Sequence, residues 1–324
     1  MRALTHAKNV VRRLAFGSVD FRLFGPVKMR SPQQEIRVLL CGLGPPRDVT
    51  YHNVIAASRP HTIGIGLEDR SEIRRGPGSR AVLQFHERHG QERLLGAIDL
   101  MWTDTIDFHD ARMLLFRSGK CRNYCLPKTL LWRQYLRWTV HRWRTRKSSA
   151  SSDHELSTRE VHAMFAFFIC PRPVYLLSAA AGGRSNIVPM DLLGTVGAGR
   201  FSLALKHASS AVPLLRRSRR AALCSVPFAQ TDMVYQFGKN HLRQVFDWDH
   251  APFGARRSPE FGLPVPDFSL RIRELEIEEV RDLGSHLLFV CRIVTDRRCA
   301  GGDEFFESHA FYQAWKQRMR ALES

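Results

Sequence analysis

The sequence has no long apolar run. Its longest, Ala163–Cys170, has eight residues, whereas a helix that spans a membrane needs about 20. Cysteine is also scarce. The chain of 324 residues contains only seven, an odd number spread along its length. This usage does not suit a disulfide framework and favours a reducing compartment. We therefore expect a cytoplasmic protein without a membrane span.

Acidic residues are few relative to basic ones, and the imbalance is uneven. The net charge is +18; residues 1–150 contain 27 Lys and Arg against 12 Asp and Glu, whereas residues 151–324 contain 22 against 19. Excess positive charge attracts nucleic acid, anionic membrane surfaces and acidic partners without specifying a fold. The first 30 residues contain one acid, Asp20, and no apolar core of a secretory signal. Their composition leaves a transit peptide open.

Several catalytic signatures are missing. Cys41–Gly44 follows a predicted strand, but Arg47 stands where a dinucleotide-binding turn needs its third glycine. We therefore interpret the segment as an ordinary turn. Cys121 and Cys125 have no second pair of ligands at metal spacing, so they predict free thiols and not a zinc site. Neither a phosphate loop nor the nucleophile elbow of hydrolases occurs, and we expect no metal.

The first half of the chain predicts short strands separated by turns that contain Gly, Pro or Asp. These strands are Glu35–Cys41, His61–Leu67, Arg80–His86, Glu92–Asp99 and Ala111–Arg117. One helix is expected near Tyr51–Ser58. No internal repeat is visible in the sequence. The pattern predicts a basic, β-rich domain of residues 1–146 that ends in an amphipathic helix.

That amphipathic helix is predicted over Leu131–Trp143, where apolar and basic residues recur at helical spacing. Its apolar face carries Trp132, Leu136, Val140 and Trp143, and a neighbouring basic face carries Arg133, Arg137, His141 and Arg144. Arginine neutralises phosphates and indole rings stack on bases, so nucleic acid is one candidate partner. The alternative is a packed helix with a solvated basic face.

A second domain is predicted over residues 158–324, after a Ser-rich linker of residues 147–157. Ser157 and Glu160 fit a capping box, and the helix that follows must end before Pro171. A change of phase among the apolar residues predicts a β-bulge near Glu274. A terminal helix is expected over Phe305–Arg320. The strands expected in this domain are Pro173–Ala180, Phe201–His207, Ala221–Val226, Ser269–Val280 and His286–Val294.

Five blocks of this second domain, in compatible order and spacing, resemble the flavin reductase-like family. They are Cys170–Val174 (CPRPV), Asn186–Asp191 (NIVPMD), Ser209-Ser210, Gly238–His241 (GKNH) and Gly284–His286 (GSH). Val188 and Asp191 replace the family's usual Ala and Ser, and Pro213 stands where an Asn is common. The collinear set carries the resemblance, which covers about residues 160–324. The N-terminal domain resembles no family that we recognise.

The resemblance implies a split β-barrel, hence an α+β protein that is mainly β, and an oxidoreductase that passes a hydride from NAD(P)H to FMN. His286 would lie near the nicotinamide or the flavin edge. Asp191 would weaken binding of the anionic reduced flavin. The resemblance also implies a homodimer with the flavin near the subunit interface. The implied cofactor-binding residues are Asn186, Ile187, Val188, Pro189 and Met190 along the ring, and Lys206, Ser209 and Ser210 at the phosphate.

Two other functions stay open. The split barrel could be a non-catalytic module fused to a basic domain that binds nucleic acid or an acidic partner. It could also be an oxidase that acts on a vitamin B6-like phosphate, since related barrels do so.

Overall fold

The computed structural model describes residues 24–30, 35–68, 73, 75–145 and 156–323. The segment considered as a transit peptide falls largely outside these residues, and so does most of the linker predicted at 147–157.

Strands outnumber helices along the described chain. In chain order, the strands are β1 Phe24–Met29, β2 Ile36–Cys41, β3 Arg47–Asp48, β4 Asn53–Ser58, β5 His61–Leu67, β6 Arg80–Glu87, β7 Leu94–Asp107, β8 Arg112–Asn123, β9 Arg172–Pro173, β10 Tyr175–Ala181, β11 Arg184–Met190, β12 Leu193–Thr195, β13 Arg200–Lys206, β14 Arg220–Ser225, β15 Ala255–Arg257, β16 Pro264–Pro266, β17 Arg271–Asp282, β18 His286–Arg298 and β19 Glu304–His309. The α-helices are α1 Lys128–Thr145, α2 Thr158–Phe167, α3 Ala211–Ser218, α4 Thr231–Gln236 and α5 Ala310–Glu323.

Two seven-stranded antiparallel sheets form most of the molecule. The first has the strand order β3-β2-β6-β7-β8-β5-β4, and the second has the order β11-β10-β14-β17-β18-β13-β12. A smaller sheet, β1-β19-β9, joins the beginning of the described chain to its end. The protein is therefore mainly β with helices, with a split barrel in the C-terminal half, as the sequence predicts.

The two large sheets have the same strand order, although the sequence shows no repeat. Counting along the chain, β2 to β8 correspond to β10, β11, β12, β13, β14, β17 and β18. A repeated topology leaves little trace in sequence, because alternating apolar residues suit any strand with one buried face. We call residues 35–123 the first barrel and residues 172–298 the second.

Most of the predicted local structure is confirmed, including the capping box of Ser157 and Glu160 and a register shift after Glu274. The prediction of a helix near Tyr51–Ser58 is wrong. The segment forms β4, which pairs with β5 and is buried along most of its length. Its alanines suit a helix, but Val54 and Ile55 suit a strand that is covered on both faces.

The terminal helix also begins later than predicted. Glu304–His309 is a strand that pairs with β1 and β9, and only Ala310–Glu323 is helical. Helix α5 then packs on the first barrel, where the Tyr312 hydroxyl donates to Glu35 at 2.6 Å. Helix α2 contributes to the same core. The first and last helices of the second predicted domain thus pack on the first barrel. The boundary predicted between the two domains, at residues 147–157, stays a prediction.

Helix α1 leaves part of its predicted apolar face in solvent. Trp132 is 66% exposed and Leu136 is 49% exposed. The helix contacts the core of the first barrel through Leu131 and Tyr135 instead. The side chains of Arg137, His141, Trp143 and Arg144 lie outside the described residues.

A hydrophobic core joins the two barrels. The first barrel supplies Val54, Ala56, Ile106, Met113 and Leu115, and the second supplies Val196, Ala204, Leu288 and Val290. Gly66 lies where the two backbones come close together: a Cβ there would be 2.6 Å from Val196 Cα. The absence of a side chain at Gly66 therefore lets the hairpin between β12 and β13 close onto the first barrel.

Gly66→Ala is expected to lower the free energy of unfolding by about 1–3 kcal/mol, because the added methyl group overpacks this contact. Urea denaturation measures the change. Gly199→Ala is the matched control, because a Cβ at Gly199 meets no atom within 4 Å. Equal stability of the two variants would contradict the close contact at Gly66.

Candidate active site

A cavity of about 440 Å³ lies where the two barrels meet. The hairpin between β4 and β5 lines it with Ser58 and Arg59. The second barrel contributes Lys206 at the end of β13, His286 at the start of β18, and Asp191. This volume is within the range of small-molecule sites. We call this space the interbarrel cavity.

A second cavity of about 670 Å³ adjoins the first, since His207 and Ala208 line both. It lies beside the beginning of helix α3, and Ser209 and Ser210 are part of its wall. We call it the helix-side cavity. The two cavities together could hold one elongated ligand with two chemically different ends.

His286, predicted as the catalytic residue, is held as a neutral imidazole in the interbarrel cavity. Burial, and next the nearby Lys206 and His207, lower the pKa of His286 to about 4. The amide of Ser58 donates to Nδ1 over 3.5 Å, and the Ser285 hydroxyl lies 2.8 Å from the same atom. These contacts assign the proton of the neutral ring to Nε2. His286 is therefore oriented from both barrels.

The Ser209 hydroxyl is linked to strand β11 through His241. His241 Nε2 lies 2.9 Å from the carbonyl oxygen of Pro189, so Nε2 carries the proton and donates it. Burial lowers the pKa of His241, and Nδ1 of the neutral ring accepts from Ser209 Oγ at 3.1 Å. This chain of contacts fixes the turn before α3 relative to β11. His241 belongs to one of the blocks that carry the resemblance, although no role for it was predicted.

Asn186 and Ser210 also support the turn. The Asn186 amide donates to Ser210 Oγ at 2.6 Å and to the carbonyl oxygens of Asn240 and Arg243 at 2.9 and 2.8 Å. The Ser210 hydroxyl in turn donates to the Asn240 carbonyl. Asn186 is 1% exposed. Its side chain therefore holds the protein framework together.

The other predicted ring-binding residues lie along β11. Ile187 and Val188 are fully buried in two different hydrophobic cores, and Met190 is buried in the same core as Val188. Pro189 is half-buried. The next residues, Asp191 and Leu192, line the interbarrel cavity. Asp191 was singled out in the sequence only as a departure from the family pattern.

Two arginines in the helix-side cavity were not predicted from the sequence. Arg184 and Arg217 both line it. A Cβ on Gly182 would lie 2.7 Å from Arg217 Nη1, so the missing side chain makes room for the guanidinium. Arginine binds phosphate with several donors at once. Lys206, predicted at the phosphate, lines the interbarrel cavity instead.

The turn itself offers few free amides to an anion. The amide of Ser210 donates to the His241 carbonyl, and the amide of Val212 donates to the Ser209 carbonyl. Pro213 has no amide proton. A phosphate in the helix-side cavity would therefore depend on the guanidinium groups of Arg184 and Arg217.

Two carboxyl groups line the interbarrel cavity, and their surroundings disfavour negative charge. Burial raises the pKa of Glu307, and the nearby Asp191 raises it further. Burial also raises the pKa of Asp191, although Arg172 and Lys206 act in the opposite direction. The raised pKa values increase the fraction of each carboxyl group that is protonated, and so uncharged, at a given pH.

Within the described ranges, no cluster of three His, Cys, Asp or Glu side chains could hold a metal ion. No helix in that part of the chain is long and apolar enough to cross a membrane.

Comparisons with known proteins agree with the resemblance found in the sequence. Residues 167–311 match the family described as flavin reductase like domain. No curated protein matches the chain significantly.

Among solved structures, similar chains include an FMN-binding protein from Thermus thermophilus with bound 1-cyclohex-2-enone. It is 27% identical, with a TM-score of 0.36, over 40% of this chain and 71% of that one. An NADH:FAD oxidoreductase from Streptomyces globisporus is 14% identical, with a TM-score of 0.41, over 46% and 88%. A styrene monooxygenase flavin reductase from Pseudomonas putida is 18% identical, with a TM-score of 0.36, over 42% and 87%. Residues 167–311 of this chain are a flavin reductase-like domain.

Proposed function

We propose that the protein binds FMN across the two adjoining cavities and catalyses hydride transfer from NAD(P)H to the flavin. The observation that carries the proposal is that the two cavities adjoin each other beside strands of the domain that matches the flavin reductase-like family. One cavity has a neutral, oriented His286 and the other has two arginines beside the turn before α3. The isoalloxazine ring would lie in the interbarrel cavity and the phosphate in the helix-side cavity.

Each group of residues has a separate task in this proposal. Arg184 and Arg217 hold the phosphate by charge-assisted hydrogen bonds. Ser209 and His241 keep the turn in register with β11, and His286 presents an Nε2 donor to the ring or to nicotinamide. The bound flavin supplies the hydride chemistry, and the protein supplies binding, orientation and electrostatics.

The direct test is the visible absorption spectrum of the protein, purified without added flavin and again after incubation with FMN. The proposal predicts bound oxidised flavin and oxidation of NADH or NADPH when FMN is present. A protein that neither binds FMN nor oxidises either nucleotide would overturn it.

Arg217→Ala is expected to weaken FMN binding about tenfold or more, because a charge-assisted hydrogen bond contributes about 1.5–3 kcal/mol. Riboflavin lacks the phosphate, so its dissociation constant should not change. Quenching of flavin fluorescence measures both. Arg216→Ala removes the same charge from the exposed neighbour on α3 and serves as the control. Equal weakening of FMN and riboflavin would contradict a phosphate site at Arg217.

The exposed face of α1 favours a second candidate, a surface that binds an acidic partner or nucleic acid. Trp132 and Leu136 are exposed next to the exposed Arg133. Charge reversal at Arg133, Arg137 and Arg144 would then weaken salt-sensitive binding. An unchanged affinity would remove this candidate. The homodimer, the vitamin B6-like substrate and the cytoplasmic location stay predictions.

A further inference from the structure

The two barrels face each other through corresponding strands. Strand β4 contacts β12, the strand that has the same position in the second barrel. The core between the barrels takes Met113 and Leu115 from β8, and Leu288 and Val290 from its counterpart β18. The chain therefore resembles two copies of one fold packed about an approximate twofold axis.

Such an arrangement creates two corresponding junctions, each between a hairpin of one barrel and two strand ends of the other. At the first junction, the hairpin between β4 and β5 meets β13 and β18. The Arg59 amide donates to Ser285 Oγ at 2.8 Å, and the Ser285 amide donates back to the Arg59 carbonyl at 2.9 Å. The interbarrel cavity opens beside these bonds.

The second junction is packed more closely than the first. There the hairpin between β12 and β13 meets β5 and β8, and the Val196 backbone lies directly against Gly66. A Cβ on Gly197 would lie 3.1 Å from the Ala111 side chain. Thr195 also donates its amide to the Tyr51 carbonyl at 3.1 Å. The cavity that remains beside Tyr51 and Thr195 has a volume of about 220 Å³, which is smaller than a usual small-molecule site.

The two barrels also differ in the length of one connection between corresponding strands. Residues 88–93 join β6 to β7 in the first barrel, whereas residues 226–270 join the corresponding β14 to β17 in the second. The longer connection supplies Asn240 and His241, which hold Ser209 and Ser210 in place. Only the second barrel has this support for a ligand-binding turn among the described residues.

We infer that each chain has one flavin site, at the first junction, and that the first barrel completes it by supplying Ser58 and Arg59. The first barrel thus has the place of a partner subunit within the same chain. This inference rests on the proposed FMN binding. Arg59, exposed at the rim of the cavity, would donate to the carbonyl oxygens of the isoalloxazine ring.

The test combines a stoichiometry with a charge-reversal variant. Native mass spectrometry with FMN should find one FMN for each 37.2 kDa chain. Arg59→Glu should weaken binding of FMN and of riboflavin about tenfold or more, because it replaces a ring-binding donor by a repelling acceptor. Arg88→Glu, at an exposed position of the same barrel, should leave both dissociation constants unchanged. Thermal unfolding verifies that both variants are folded.

The failures of the inference and of the proposed function are distinguishable. Two FMN molecules per chain, or unchanged affinity of the folded Arg59→Glu variant, would overturn the inference while leaving FMN binding intact. Absence of FMN binding by the wild-type protein would overturn the proposed function, and the inference with it. Weakening of FMN alone, with riboflavin unaffected, would place Arg59 at the phosphate and contradict its assignment to the ring.

Discussion

Arg172→Met is expected to lower the free energy of unfolding by about 2–4 kcal/mol. Arg172 begins β9 and is 4% exposed. Its guanidinium donates to the backbone carbonyl oxygen of Asn53 at 3.2 Å and to the Asn53 side-chain oxygen. Because Asn53 belongs to β4, these hydrogen bonds connect the two barrels. Removing the guanidinium leaves two buried acceptors without this donor.

Two further interactions support the charge of Arg172. The guanidinium carbon lies 3.9 Å from the ring centroid of Phe167, which favours a cation over the ring face. Burial lowers the pKa of Arg172, and Asp191 acts against this shift. The cost of burying the cation offsets part of its contribution, which is why the expected loss is smaller than the sum of its hydrogen bonds.

Chemical denaturation of Arg172→Met, Asn53→Ala and the double variant measures the effect. Because the two residues are in direct contact, the loss of stability in the double variant should differ from the sum of the two single losses by about 0.5–3 kcal/mol. Arg88→Met, at an exposed position, should change stability by less than about 0.5 kcal/mol. Strictly additive losses would show that the bonds between Arg172 and Asn53 do not stabilise the joint.

Glu274→Gln is expected to lower the free energy of unfolding by about 2–4 kcal/mol, although it only replaces one carboxylate oxygen by an NH₂ group. Glu274 is fully buried at the bulge of β17. Its carboxylate accepts from Ser258 Oγ at 2.6 Å and from the amides of Glu260 and Phe261 at 2.8 Å each. A glutamine has one acceptor oxygen in place of two, and its NH₂ group would face an N–H donor.

The loop held by Glu274 also contributes to the core, because Leu263 within it is buried. Loss of the carboxylate should therefore loosen residues 258–263, which hydrogen exchange detects as faster exchange of the Glu260 and Phe261 amides. Glu276→Gln is the matched control on the same strand, since Glu276 is half-buried and pairs with Arg292 near the surface. Similar stabilities of the two variants would contradict the assigned role of Glu274.

Parts of the candidate site could be predicted where a short sequence pattern determines a local structure. The turn before α3 and the position of His286 follow from short blocks that resemble a family. Arg184 and Arg217 were not predictable, because the chain has 49 Lys and Arg residues and nothing local distinguishes these two. Only the packing of β10, β11 and α3 brings them to one cavity.

Local sequence was sufficient to predict the strands with alternating apolar residues, the capping box at Ser157 and the bulge at Glu274, because each depends on neighbours within a few positions. Long-range packing was needed to make β4 a strand, to place α5 on the first barrel and to reveal that the two sheets share one topology. These features depend on contacts between residues far apart in the chain, such as Arg172 with Asn53 and Gly66 with Val196. Burial between two sheets can override local propensity, and no local pattern encodes which surfaces will meet.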